Sequence, residues 1–257
     1  MSQQQKAEQF HNLHVKGDPV ILYNIWDAGS AKAVSDSGAK AIATGSAPVA
    51  LAQGFGDGEK IPFDFVLGNI ERIVSSVSLP VSLDFEGAYS VEPDVVGTHF
   101  TRAIATGVVG FNFEDQIVGG DGLHSISDQA KRLMAARKAC DSASVRAFIN
   151  ARTDLFLKAK MNGEPHTQEM LDEAVLRATA FADAGANGFF APGLLDLDMI
   201  AALCERVSLP VNIIALPGAP ENSQLANVGV ARISYGPIPY KKMLQWMENE
   251  ARVALSQ

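Results

Sequence analysis

Apolar residues fall into eight short runs, near residues 20–25, 41–45, 80–85, 108–113, 147–151, 187–191, 211–215 and 230–234. Most intervals between them change to apolar positions at helical spacing, as in residues 65–77, 128–139 and 169–182. Short apolar runs alternating with amphipathic helices predict β-then-α units. The joints repeat the same turn chemistry. Asp36-Ser37-Gly38-Ala39 is echoed by Asp183-Ala184-Gly185-Ala186, and Thr106-Gly107-Val108 by Val228-Gly229-Val230. Glycine just past a helix takes the left-handed conformation without a Cβ clash and turns the chain into the next strand. Val77-Ser78-Leu79-Pro80-Val81 and Val207-Ser208-Leu209-Pro210-Val211 repeat a second stop, where proline ends a helix and opens a strand.

Eight such units in 257 residues predict a (β/α)8 TIM barrel, one domain over residues 1–257. The rival, a doubly wound open sheet, carries a glycine-rich phosphate turn after its first strand. Here that place reads Asn24-Ile25-Trp26-Asp27-Ala28-Gly29. Two segments stand outside the repeat. Residues 1–17 predict an extra N-terminal helix, with Phe10 and Leu13 covering the barrel's bottom. Residues 240–255 predict a final helix whose stripe of Met243, Trp246, Met247 and Ala251 packs against the barrel.

Charge narrows the function. Lys+Arg is 21 against Asp+Glu 29, a net −8, the wrong sign for gripping nucleic acid or anionic membrane. No run approaches the roughly 18 apolar residues of a membrane span, and Met-Ser-Gln-Gln-Gln-Lys lacks the apolar core of a secretory signal. Two cysteines, Cys140 and Cys204, are too few for a disulfide framework. The expected location is the cytoplasm. Cys140 reads as a buried small hydrophobe, and His11, His14, His99 and His166 as surface or helix-end residues.

Barrel active sites form at the C-terminal ends of the strands. Alternation puts Ser82, Asp84 and Glu86 on one face of the third strand, Asn112 and Glu114 on one face of the fourth, and Asn150, Arg152 and Asp154 on one face of the fifth. Asp115 and Asp154 could instead cap the following helices. Asp84, Glu86 and Glu114 together would repel one another in a low-dielectric mouth unless a cation neutralised them. A hard divalent ion, most simply Mg²⁺, answers that need, and Arg152 offers a fork for a substrate carboxylate.

Asp84-Phe85-Glu86-Gly87, Glu114-Asp115, Asn150-Ala151-Arg152-Thr153-Asp154 and Gly56-Asp57 resemble the isocitrate lyase/phosphoenolpyruvate mutase superfamily. The likeness runs from Tyr23-Asn24-Ile25-Trp26 to Asn212-Ile213-Ile214-Ala215-Leu216-Pro217-Gly218. It implies that Asp84 binds Mg²⁺, or Mn²⁺ in its place, directly, with Asp57, Glu86 and Glu114 acting through metal-bound water. It implies further that Thr44-Gly45-Ser46 holds the substrate carboxylate and that Arg152 steadies the substrate or its enolate. Asn212 is either a polar contact near the seventh strand's top or a hydrogen-bonded strand residue.

The implied activity is cleavage of a C–C bond in a small 2-oxo or 2-hydroxy carboxylate through a pyruvate-enolate-like species. The alternatives are a phosphonate P–C enzyme, of mutase or hydrolase type, and an inactive metabolite-binding relative. The lyase branch carries a Lys-Lys-Cys-Gly-His type loop after the fourth strand. Here residues 116–125 hold neither cysteine nor lysine, and His124 is the candidate proton donor. Pro192 stands where lyases carry a glutamate, which implies a substrate smaller than a tricarboxylate. The superfamily's exchanged last helix implies a homodimer or a dimer of dimers.

Overall fold

The computed structural model describes residues 1–256. Its sheet runs β1 (Val20–Leu22), β2 (Ile42–Ala43), β3 (Val81–Asp84), β4 (Gly110–Glu114), β5 (Phe148–Arg152), β6 (Gly188–Phe190), β7 (Val211–Ile214) and β8 (Arg232–Ser234). The helices are α1 (Gln3–Asn12), α2 (Ala28–Asp36), α3 (Ser46–Ala52), α4 (Phe63–Ser76), α5 (Pro93–Ala105) and α6 (Ile126–Ser142). They continue as α7 (Leu155–Asn162), α8 (Gln168–Asp183), α9 (Leu197–Arg206), α10 (Asn222–Asn227) and α11 (Ile238–Leu255).

All ladders are parallel. Neighbours pair in chain order from β2 to β8, and β8 pairs back to β1. The remaining gap closes through one bridge between Ile25 and Thr44. There the Ile25 N–H donates to the Ala43 carbonyl at 2.9 Å and the Gly45 N–H to the Ile25 carbonyl at 3.1 Å. This is the predicted (β/α)8 barrel rather than the open sheet. Gly38, Gly107, Gly185 and Gly229 all take φ between 91° and 99° just past a helix, as the repeated punctuation requires.

Alternation sorts the strands into two layers. Leu83, Phe85, Phe111, Phe113, Ile149, Ile213 and Ile233 are buried beneath the helices. The opposite face is mostly polar: Ser82, Asn112, Asn150, Asn212, Arg232 and Ser234 are all buried, and all but Ser82 link across strands. Barrel interiors more often hold branched apolar side chains. A polar interior needs internal partners, and those partners organise the site above it.

The floor is apolar. Phe10 of α1 is fully buried and meets Phe148 edge-on, with ring centroids 5.7 Å apart. A Cβ on Gly110 would sit 2.5 Å from Phe10 Cε1, so β4 opens with the residue that leaves the ring room. The Gln3 side-chain amide ties α1 to the carbonyls of Ile104 and Val108, both at 2.8 Å. The expected floor is therefore present. His14 takes the helix-end place of its two readings, just past α1, and not the surface one: it is buried, stacks on Phe148 at 3.8 Å, and burial pushes its pKa down to about 3. Cys140 is buried as expected, its thiol pushed up to about 12 by burial.

The final helix also corrects its reading. Only Pro239 and Tyr240 of α11 are buried, while Trp246 is 61% and Met247 52% exposed. Met243 is half-buried and Ala251 exposed. The stripe does not pack on the chain's own barrel, because α11 extends away from it after its first turn. No helix among the described residues is long and apolar enough to cross a membrane.

Candidate active site

A cavity of about 180 Å³ opens at the C-terminal ends of the strands. Asp57, Asp84, Asn112, Arg152, Gly45 and Ser46 line it, together with Asn24 and Ser234. Asp84 ends β3, where the Ser46 N–H donates to Oδ2 at 2.9 Å and the Asn112 amide to Oδ1 at 3.1 Å. Its own N–H donates to Thr44 Oγ1 at 2.9 Å. Both carboxylate oxygens keep a lone pair free toward the cavity. Thr44 is thus committed to holding the β3 backbone, and only Gly45 and Ser46 of the predicted Thr44-Gly45-Ser46 segment face the cavity.

Glu86 lies beyond the strand, so alternation does not place it. It takes φ 50° in a turn where Ala88 and Tyr89 are also left-handed, at 61° and 59°. Such non-glycine geometry costs on the order of 1–3 kcal/mol per residue and persists only where its surroundings hold it. Two residues missed in the sequence do the holding. The Glu59 carboxylate accepts from Tyr89 N–H at 2.7 Å, and its own N–H donates to Glu86 Oε2 at 2.9 Å. Arg132, buried with its guanidinium over the Phe113 ring, donates to the carbonyls of Gly87 at 2.6 Å and Ser90 at 3.0 Å. No spacing links residues 59, 86 and 132, so only the fold reveals this brace.

Arg152 ends β5 and is gripped on both sides. Its Nε and Nη2 donate to the Asp154 carboxylate at 2.5 and 2.9 Å, and Nη1 lies 3.0 Å from Glu114 Oε2. Asp154 stands at the start of α7 but makes no side-chain cap there, because its oxygens are taken by Arg152. Asp115 is no cap either: it accepts from the Asp154 N–H and pairs with Arg177, both at 3.0 Å.

Electrostatics follow from this crowding. Burial, then Asp57 and Asp84, push Glu86 up to about 8. Burial and Asp84 raise Asp57. Burial raises Glu114 well above the carboxylate range against the pull of Arg152. Burial disfavours the Arg152 cation, yet Asp154 and Glu114 outweigh it and hold the guanidinium above its ordinary value. The mouth is short of positive charge.

A divalent ion fits that deficit in one particular way. Among the described residues, no three His, Cys, Asp or Glu side chains converge to hold a metal. An all-protein cage is therefore absent. The donor set suits a hard ion bound by the Asp84 carboxylate with water filling most of its shell, the usual habit of Mg²⁺.

Besides Thr44, four predicted residues do not line the cavity: Glu86, Glu114, His124 and Asn212. His124 lines a separate cavity of about 110 Å³ with Glu59, Tyr89 and Arg132, and burial lowers its pKa. Asn212 is buried one layer down, where its amide donates to Ser234 Oγ at 3.2 Å. It is the hydrogen-bonded strand residue of the two readings. Asn24, Asn112 and Ser234 line the cavity instead. Asn24 ties three strand ends together, donating to the Thr44 carbonyl at 2.8 Å and accepting from the N–H groups of Tyr235 and Gly236 at 2.9 and 2.8 Å.

Fold and site together define a barrel protein with an acidic mouth at the C-terminal ends of its strands. The phosphoenolpyruvate phosphomutase family model matches residues 10–255, and the chain belongs to that family. A proposed phosphonomutase of Burkholderia cenocepacia J2315 is similar at 42% identity and TM-score 0.93, over 99% of both chains. The 2-methylisocitrate lyase of Escherichia coli K12 is 25% identical over 95% of this chain and 82% of its own length. A phosphonopyruvate hydrolase solved with oxalate and Mg²⁺ shares the fold, at 20% identity and TM-score 0.82 over 100% of this chain and 88% of that one. Homologues are lyases and mutases of the isocitrate lyase/phosphoenolpyruvate mutase superfamily.

Proposed function

We propose that the protein is a Mg²⁺-dependent carbon–carbon lyase acting on a small 2-oxo or 2-hydroxy carboxylate. The observation that carries this reading is the cavity in which Asp57 and Asp84 stand beside a guanidinium fixed by Glu114 and Asp154. Asp84 would hold the ion, Mg²⁺ or Mn²⁺, with Asp57, Glu86 and Glu114 reaching it through water. When bound, the cation supplies Lewis-acid stabilisation of charge developing on the substrate oxygens. The chain's own residues do the rest. Gly45 and Ser46 bound the place of the substrate carboxylate. Breaking the C3–C4 bond of a 4-hydroxy-2-oxo acid leaves its electron pair in the enolate, turns C4 into the carbonyl of the departing fragment and releases the hydroxyl proton to solvent. Arg152 keeps a fixed positive charge next to the enolate at no cost in reorganisation.

A P–C bond enzyme is the second reading, favoured by the 42% likeness to the Burkholderia protein. It needs cations over the phosphoryl group, and Arg152 is the one Lys or Arg lining the cavity among the described residues. The same reading extends to assembly, since the exposed stripe of α11 is the surface a homodimer or homotetramer would bury. Light scattering on the chain and on Trp246→Glu checks it, with dissociation expected in the variant.

The deciding experiment is a thermal-shift titration with oxalate, a mimic of the enolate, with and without Mg²⁺. At 100 times its dissociation constant a ligand stabilises by about 2.7 kcal/mol. Stabilisation that requires Mg²⁺ and vanishes in Asp84→Ala supports the metal-dependent enolate site common to the C–C and P–C readings, and in that variant turnover should fall on the order of 10³-fold. Turnover of 2-oxo acids against phosphonopyruvate then separates the two. Absence of any shift would leave an inactive metabolite-binding relative as the better account.

A further inference from the structure

The cavity has two unlike sides. Opposite Asp57 and Asp84 its wall is made by Leu157 in the first turn of α7, Phe190 at the end of β6, Pro192, Ile214 at the end of β7, and Leu216. None of these side chains offers a charge or a hydrogen bond. The nearby backbone donors are also committed: the N–H of Ala191 goes to the Asn212 carbonyl, that of Ala215 to Ser234, and that of Leu216 to Ile214. Arg152, the one Lys or Arg among the lining residues described, has its charge matched by Asp154 and Glu114, which leaves it one N–H on each Nη for the enolate oxygens.

From this asymmetry we infer that the substrate's far end is uncharged and apolar. The ligand class is a 4-hydroxy-2-oxo monocarboxylate with a short alkyl tail beyond the hydroxyl, whose carbon departs as the carbonyl of the released fragment. This conclusion rests on the metal-anchored carboxylate of the proposed function; the plain 2-oxo alkyl acids are its uncleavable analogues. A second carboxylate or a phosphonate on that side would meet apolar carbon in front and the Asp57 and Asp84 carboxyls behind. A bound divalent ion offsets the anchor carboxylate and the acids around it, leaving no cation for a second anionic group. Burying such a group without a partner is unfavourable, whereas each methylene laid on the wall is favourable. The volume of about 180 Å³ lies below the roughly 300 Å³ at which pockets for drug-sized ligands begin, so the tail is short.

Calorimetric titration of the full chain with Mg²⁺ tests this, using pyruvate, 2-oxobutanoate and 2-oxopentanoate against oxaloacetate and phosphonopyruvate. Each added methylene should tighten the dissociation constant about fourfold until the wall is covered. Both dianionic ligands should bind more weakly than 2-oxopentanoate. Oxaloacetate or phosphonopyruvate binding as tightly as the alkyl acids would overturn the inference. Leu157 is half-buried, and Leu157→Arg, which puts a cation into the wall, should invert the order toward oxaloacetate. An unchanged order in that variant also counts against the inference. Oxalate binding that ignores Mg²⁺ would remove the metal reading, whereas the slope of the alkyl series reads the wall by itself.

Discussion

Two arginines inside one barrel, one half-buried and one fully buried, are held in opposite ways. Arg152, at the mouth, lies between Glu114 and Asp154 and is kept charged by them. Arg232, at the start of β8, is 1% exposed and faces no carboxylate within ion-pair distance; its Nη2 donates to Asn112 Oδ1 at 3.0 Å and its Nε to Ser234 Oγ at 3.3 Å. Burial, opposed by Asp84 at longer range, lowers its pKa to about 9. The mouth arginine is neutralised locally and serves as a fixed charge. The interior one acts through a neutral amide on the carboxylate beyond it.

The sharpest way to break this contrast is Arg152→Met. It strands two buried carboxylates, and removing one partner of such a cluster costs roughly 3–5 kcal/mol. For a domain of this size that is about 10 °C in Tm. Calorimetric melting at neutral pH reads it directly, and catalytic activity should vanish as well. A variant melting with the wild type would show that Glu114 and Asp154 do not depend on Arg152 for their burial.

The acidic side of the mouth has its own signature in pH. Glu86 sits at about 8 against an ordinary 4.5, so the folded state holds its proton more tightly than the unfolded chain. The stability this provides is complete below the ordinary value and is lost as pH rises through about 8. Asp57 and Glu114 are displaced in the same direction. The metal-free Tm should therefore fall by several degrees from about pH 5 to about pH 9. Glu86→Gln should flatten part of that slope, and Mg²⁺ should flatten it in the wild type. A Tm that climbs over this range would contradict the assignment.

The contrast also explains what could be read in advance. The barrel was legible because glycine or proline punctuates six of the joints between helix and strand and each apolar run is short; the joint from α6 into β5 turns instead on Ser144 at φ 55°. Phe10 was legible as floor because an amphipathic helix before the first strand has only that face to cover. Asp84, Glu114 and Arg152 were legible because they sit on regular strands, where alternation decides direction. Glu86 reached its place by a left-handed turn braced from residues 59 and 132, so strand alternation named it for the wrong reason. His124 could not be placed because loop geometry decides which cavity a loop side chain enters. The face of α11 reads the same whether it covers its own barrel or another surface.

Arg232 supplies the finest test. The Asn112 carbonyl oxygen has two lone pairs, one taken by Arg232 and the other by the Asn150 amide at 2.9 Å. Flipping the Asn112 amide would turn its N–H groups onto a guanidinium, so the nitrogen is obliged to face Asp84. Arg232 is thus a positioning residue for the proposed metal ligand. Arg232→Met removes a buried cation that has no ion-pair partner, and a volume-conserving change of that kind should move Tm little. The Asn112 lock on Asp84 loosens, and Mg²⁺ affinity should weaken about tenfold, the lower end for outer-shell partners of a metal site. Asn112→Ala should weaken it similarly, and the double variant no further, because both changes release the same carboxylate. Additive losses would mean that Arg232 reaches the metal site by its long-range charge rather than through the amide.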